Sequence, residues 1–286
     1  MKKYIRLMRM HHYIKNFLIC APIFFSGRIL EPVLWKKVLW AFLAFGMLSS
    51  LVYVVNDIRD VENDRKHPTK CKRPIASGEI SVKGAIFFAW ILVVFIFLCC
   101  FLGRFGVRTI GTMAVYLLLN LFYSFGLKNY PVVDIAILAS GFVLRLLLGS
   151  VVTGIVISDW LYLTVTMAAF YFALGKRRNE RIKYGESDTR KVLKAYSKSF
   201  LNSMMYMCLA LTIVFYSLWT VDSEHEVGRI SLIWTVPIVL LICMKYGLVI
   251  ESDSDGDPVE VLIHDKTLLA LCCIWAIIII AAIYVN

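Results

Sequence analysis

The chain has 286 residues, 59% of them hydrophobic and 18% charged, and a mean hydropathy of +0.73. Apolar runs of about the 20 residues that a bilayer requires recur along it, which excludes an ordinary soluble domain. Its formal net charge of +11 would suit a nucleic-acid binder, but in a membrane chain topology and attraction to anionic lipid account for such an excess, so membrane lipid and no nucleic acid is the expected surrounding.

Met1 to Lys15 mixes Lys, Arg and His with apolar residues and lacks a small-residue cleavage site after an apolar core, so the first span is read as retained. Nine spans are expected, at roughly 14–30, 36–56, 82–102, 106–126, 131–152, 159–176, 198–221, 229–247 and 266–285. The predicted fold is therefore all-α, a polytopic integral membrane helical bundle of about nine transmembrane helices in a single domain, 1–286. No internal repeat, low-complexity tract or separate soluble domain is visible. With the N-terminus inside, 24 Lys and Arg fall in inside segments and 6 in outside ones, Arg145 being left within a span. That asymmetry places the inside loops in the cytoplasm and the chain in the plasma membrane. All of the eight cysteines but Cys71 lie in apolar segments without metal spacing, and they read as small buried hydrophobes in reducing surroundings.

The second span runs into Asn56-Asp57-Ile58-Arg59-Asp60-Val61-Glu62-Asn63-Asp64. If the helix continues, Asp57, Asp60 and Asp64 stand at i, i+3 and i+7 and share a narrow arc at the membrane edge. Such a face offers the hard oxygen ligands that Mg²⁺ combines with waters and substrate phosphates, so a metal-held diphosphate is expected there. The inside loop that follows, 57–81, is broken by Pro68, Pro74 and Gly78, which folds the cations Lys70 and Arg73 back toward the acids. A second inside loop, 176–198, opens with Lys176-Arg177-Arg178-Asn179-Glu180, which sets Lys176 and Glu180 at i, i+4 on one helical face. Alone it reads as a solvated, salt-bridged helix end; beside a carboxylate cluster on the same side it reads as a phosphate clamp.

These residues carry a resemblance. Asn56-Asp57-x-x-Asp60-x-x-x-Asp64 after the second of about nine spans is similar to the UbiA superfamily of intramembrane prenyltransferases, and within it to decaprenyl-phosphate 5-phosphoribosyltransferases. The supporting strings are Tyr13-Ile14-Lys15-Asn16, His67-Pro68-Thr69-Lys70, Arg73-Pro74-Ile75-Ala76, Tyr123-Ser124 with Lys128 and Asp134, Gly175-Lys176-Arg177 with Glu180, and Gly256-Asp257-Pro258-Val259-Glu260-Val261-Leu262. Aromatic prenyltransferases of this fold carry a second Asp-x-x-x-Asp after the sixth span, where this chain has Lys176-Arg177-Arg178-Asn179-Glu180. Cations in that place suit a donor with one metal-bound diphosphate and a further phosphate gripped directly, which describes phosphoribosyl diphosphate better than a prenyl diphosphate.

The resemblance implies substitution at ribose C1 by an oxygen of a polyprenyl phosphate. Mg²⁺ at Asp57, Asp60 and Asp64 would neutralise the leaving diphosphate, with Asn56 orienting a ligand or donating to a phosphate oxygen. Lys15, Asn16 and the intramembrane Arg145 are the candidates for the acceptor phosphate. Arg145 reads equally well as a structural partner for Asp134 or a helix carbonyl. Lys70, Arg73, Lys176 and Arg177 are candidate grips on the donor, with Tyr123, Lys128 and Asp134 beside them and Glu180 on a ribose hydroxyl or Lys176.

Other features are discounted. Asp253-Ser254-Asp255-Gly256-Asp257 lacks the Gly and closing Glu of a calcium loop, with Pro258 and His264 in their places. His11 and His12 are adjacent and point apart on a helix, and Trp and Tyr near span ends read as interfacial anchors. Two alternatives stay open: prenyl transfer to an aromatic or other small acceptor, against which the missing second Asp motif stands, and a transporter or lipid-binding protein, against which the acids' place at a helix end stands. The sequence leaves assembly into a homo-oligomer open.

Overall fold

The computed structural model describes residues 2–66, 69–184, 191–227, 232–251 and 257–284; His67-Pro68 and 252–256, both singled out in the sequence, lie outside them. Every regular element among the described residues is helical. From the N-terminus come α1 (Lys2–Met8), a 3-10 segment (Met10–Cys20), α2 (Ala21–Phe25), α3 (Pro32–Arg59), α4 (Val61–Lys66), α5 (Val82–Leu102) and α6 (Val107–Phe125). Then follow α7 (Val133–Thr153), α8 (Asp159–Tyr184), α9 (Lys198–Val227), α10 (Val236–Glu251), α11 (Pro258–His264) and α12 (Lys266–Tyr284), with short 3-10 turns between some of them.

Among the described residues, six helical stretches are long and apolar enough to cross a bilayer: Pro32–Arg59, Val82–Leu102, Val133–Thr153, Lys198–Asp222, Leu232–Glu251 and Lys266–Tyr284. The expected spans at 14–30, 106–126 and 159–176 are not among them. The first is divided between the 3-10 segment and the five-residue α2. The other two are helices in the expected places, but Arg108, Thr109, Thr112 and Asn120 dilute α6, and α8 ends in the charged run from Lys176. On α5, Phe87, Trp90, Val94, Phe97 and Phe101 form one exposed stripe at helical spacing, the mark of a face turned to lipid.

The chain packs as two compact units. One comprises Met1–Phe24, Arg28–Gly126 and Leu144–Ile155, the other Phe25–Gly27, Leu127–Val143 and Val156–Asn286. In the first unit Leu34, Val38, Ala41, Phe45, Leu48 and Val52 recur at steps of three and four along α3, and this stripe is buried against Ile19, Ile23, Met113, Tyr116 and Leu148. Gly149 permits the close approach of the 3-10 segment to α7, because a Cβ there would lie 2.2 Å from the Ile19 carbonyl oxygen. A second cluster joins Leu7, Val54, Ala85 and Leu92 to Ile75 and Ile80, two loop residues only 1% and 2% exposed. Burying those side chains pins the loop beneath the end of α3.

In the second unit α8 and α9 lie against each other. Leu201, Met205 and Cys208, one face of α9, pack with Ala169, Ala173 and Leu174 of α8 and with Tyr246 and Ile250 of α10. Asp257 caps α11 by accepting from the Val259 N–H at 3.0 Å, with Pro258 in the first turn.

Candidate active site

The acidic stretch keeps its helical register past the end of α3. The Asp60 N–H donates to the Asn56 carbonyl (2.9 Å) and the Asp64 N–H to the Asp60 carbonyl (2.8 Å), although Asp60 itself leaves helical geometry at φ −92°, ψ 11°. Asp57 and Asp64 consequently point to one place. Arg73 Nη1 lies 3.1 Å from Asp57 Oδ1 and 2.6 Å from Asp64 Oδ2, one nitrogen bridging two acids a turn and more apart. Arg73 reaches them because Ile75 anchors the loop and the Ser77 and Ile80 N–H groups bond the Arg73 and Pro74 carbonyls, with Gly78 at φ +81° closing the turn. Of the two cations expected to fold back, Arg73 reaches the acids.

A second guanidinium, which the sequence reading did not single out, completes the arrangement. Arg9 Nη2 donates to Asp57 Oδ1 at 2.6 Å while its Cζ stands 4.8 Å from the Tyr53 ring centroid. Asp57 and Asp64 are 2% and 4% exposed, and carboxylates so far desolvated require such partners. Asp60 is partly exposed. Next to Asp57, Asn56 Oδ1 is 2.5 Å from the Ser124 hydroxyl, which is also 2.8 Å from the Asn120 carbonyl. Lys15, Lys70, Tyr123 and Lys128 are all partly buried, Lys15 in the 3-10 segment and Tyr123 on α6.

Deeper in the same unit, Arg145 Nε donates to Asn16 Oδ1 (2.8 Å), its Nη2 is 3.4 Å from Ser49 Oγ, and its Cζ faces the rings of Phe45 and Tyr116 at 4.9 and 5.4 Å. Asn16 is fully buried, and its Nδ2 has no hydrogen-bond partner. Two residues 129 positions apart, both candidates for the acceptor phosphate, are thus brought together.

Asp134 belongs to a cluster of the second unit. Arg177 Nε donates to Asp134 Oδ2 and Nη1 to Glu180 Oε2, both at 2.5 Å, and the Tyr196 hydroxyl donates to Asp134 Oδ1. The Val132 N–H donates to the Tyr196 oxygen at 2.6 Å from a left-handed backbone, φ +69°. Burial first, and then the acceptor carboxylate of Asp134, push the Tyr196 phenol well above its ordinary range. The expected Lys176–Glu180 face is replaced by Arg177–Glu180, because i, i+3 lets the longer guanidinium span both acids; Lys176 turns to Asp257, 3.7 Å away. Arg178, not a candidate earlier, donates to Asn202 Oδ1 at 2.6 Å.

Among the described residues no three His, Cys, Asp or Glu side chains stand gathered as a ready metal-ligand set. The residues nevertheless fit a divalent cation: Asp57 and Asp64 offer hard oxygens that converge on a cationic nitrogen, and the chemistry of that donor set is the one magnesium prefers. Nothing in linear spacing marks Arg9, one of several N-terminal cations, or Tyr196, 62 residues from Asp134.

Helical architecture, six bilayer-length apolar helices and an acidic helix end clasped by arginines define a multi-pass membrane protein with a charged site. Residues 18–264 match the UbiA prenyltransferase family, and the chain belongs to that family of transferases, as its motifs indicated. The decaprenyl-phosphate phosphoribosyltransferase of Corynebacterium glutamicum is 35% identical to it over 288 residues, covering 98% of this chain and 86% of that protein. The Mycolicibacterium smegmatis protein of the same name is 32% identical over 298 residues, covering 99% and 92%. Among solved structures, a UbiA homolog from Archaeoglobus fulgidus bound to GPP and Mg²⁺ shares the fold with a TM-score of 0.69 at 18% identity, covering 98% of this chain and all of that one.

Proposed function

We propose that the protein transfers a 5-phosphoribosyl group from phosphoribosyl diphosphate to a polyprenyl phosphate and releases diphosphate. The observation that carries this reading is the convergence of Asp57 and Asp64 on one cationic nitrogen, in a chain so similar along its length to decaprenyl-phosphate phosphoribosyltransferases. A lipid phosphate oxygen bonds to ribose C1 as the bond from C1 to the diphosphate oxygen breaks and its electron pair leaves with diphosphate. Magnesium at Asp57, Asp60 and Asp64 would supply charge neutralisation on that leaving group.

The chain's own residues orient the reactants. Asn56, fixed by Ser124, is proposed to donate to a phosphate oxygen, and Lys70 and Arg73 to supply cationic contacts to the donor. Lys176, about a third exposed, is proposed as a further grip on a phosphate, whereas the buried Arg177 holds Glu180 and Asp134 in position. Tyr123 and Lys128 complete the proposed donor contacts. Lys15, Asn16 and Arg145 are assigned to the acceptor phosphate, which is already anionic near neutral pH, so positioning and charge replace a strong base. The chain is read as a single transferase domain, 1–286, with its site open to the cytoplasm. The product is a polyprenylphosphoryl 5-phosphoribose, a lipid-linked pentose precursor for cell-envelope glycans.

The test is an assay of purified, detergent-solubilised protein with Mg²⁺, radiolabelled phosphoribosyl diphosphate and a polyprenyl phosphate, following label into the lipid phase. Magnesium-dependent transfer that Asp60→Asn abolishes is the expected result; full activity of that variant removes the metal face from the reaction. A second reading, prenyl transfer to a small acceptor, draws on the GPP-bound homolog of the same fold. Turnover of a prenyl diphosphate without transfer from phosphoribosyl diphosphate would replace the first reading by the second.

A further inference from the structure

Arg9 stands at the junction of α1 and the 3-10 segment with φ 52° and ψ 50°. That left-handed conformation is unfavourable for an L-residue with a side chain, and the eleven residues of the 3-10 helix that follows make an uncommonly long run of that geometry. The strained turn delivers a guanidinium to Asp57 from outside the acidic helix, as the pinned loop delivers Arg73. The side-chain exposures are unequal: 21% and 28% for Arg9 and Arg73, 2% and 6% for Asp57 and Asp64. The acids are buried and fixed, while the arginines are partly exposed and are the partners able to leave.

We propose that Arg9 and Arg73 are exchangeable counter-ions of the acidic face. In the metal-free protein they neutralise Asp57 and Asp64; on loading, the carboxylates pass to the metal and the guanidinium groups pass to the oxygens of the diphosphate. The inference rests on the metal reading of the preceding subsection. Its physical basis is competition. Two guanidinium ions and a divalent cation seek the same carboxylate oxygens, and a metal arriving alone leaves displaced arginines without an anion. A diphosphate arriving with it supplies new acceptors for their N–H groups, so metal and diphosphate bind with positive coupling, each tightening the other by the same factor. Arg9 keeps its stack on Tyr53 as a resting place during the exchange.

The experiment measures Mn²⁺ binding to the purified protein by loss of the free-ion electron paramagnetic resonance signal, with and without inorganic diphosphate. In the native protein diphosphate should tighten Mn²⁺ on the order of tenfold. Arg9→Gln should bind Mn²⁺ alone on the order of tenfold more tightly and gain less from diphosphate, with Arg9→Lys in between. Arg73→Gln, measured in parallel, covers the event that one variant does not fold. Mn²⁺ affinity equal to or weaker than native in a monodisperse, folded Gln variant overturns the proposal. Asp57→Asn separates the two readings: if it abolishes Mn²⁺ binding while the Arg9→Gln affinity is unmoved, the exchange is wrong and the metal face stands. Native Mn²⁺ binding by Asp57→Asn overturns both.

Discussion

The two units each hold arginines bound to carboxylates, and they differ in which partner is exposed. In the first unit the acids sit on a helix end and are buried, while Arg9 and Arg73 arrive from a strained turn and a loop and stay partly exposed. In the second the arginine itself is buried: Arg177 is 1% exposed between Asp134 at 0% and Glu180 at 17%. A partly exposed guanidinium can exchange its acid for another anion with little desolvation, whereas a fully buried one loses several kcal/mol if its partner goes. The same ion chemistry is thus suited to loading a substrate in one unit and to holding helices and a loop together in the other.

The sharpest break of that comparison is at Arg177. Arg177→Met leaves Asp134 buried without its cation and should destabilise the protein by about 3–5 kcal/mol, read from denaturant unfolding in mixed micelles. Adding Asp134→Leu should recover much of the loss, since a buried pair replaced by apolar groups is often near neutral. Native stability of the single variant would show that the pair is as labile as the one at Arg73. Tyr196→Phe should cost about 2 kcal/mol in the same measurement, because both the Asp134 oxygen and the Val132 N–H lose a partner. Arg73→Gln belongs at the other pole: with Arg9 still on Asp57 and the glutamine amide still able to donate to Asp64, it should cost about 1–2 kcal/mol of stability, but lower transfer on the order of a hundredfold. Equal losses of stability at Arg73 and Arg177 would erase the distinction between the units.

What the sequence made legible follows local periodicity. The i, i+3, i+7 acids needed only helical geometry, and Pro74 and Gly78 sufficed to turn Arg73 back, whereas α3 is apolar all round and its buried stripe shows only in the packing. Pairings across long separations were not legible. Arg177 finds Asp134 across 43 positions and Arg145 finds Asn16 across 129, through packing that no spacing encodes. Arg9 escaped notice because its role depends on a positive φ, for which an arginine gives no signal. The span expected at 14–30 was apolar enough in composition, but composition does not reveal that the backbone there tightens to a 3-10 helix before the short α2.

If exposure rather than membership of a unit sets lability, an exposed pair in the second unit should behave like those of the first. Lys245 Nζ lies 2.9 Å from Asp265 Oδ2, with side chains 28% and 19% exposed. The Asp265 carboxyl also accepts from the Leu268 N–H, and that bond first, then Lys245, holds its pKa below the ordinary 3.8. A carboxyl depressed in the folded state adds stability that is present above its unfolded value and lost as pH falls through the lower folded one. The native protein should therefore melt slightly higher than Asp265→Asn near neutral pH, and the difference should shrink as the pH drops below about 4. Raising the ionic strength should weaken the Lys245 part and spare the bond to the Leu268 N–H, because salt screens exposed charges more than it disturbs a local cap. A difference that persists undiminished in acid would mean that Asp265 acts through packing, and that exposure alone does not make a pair exchangeable.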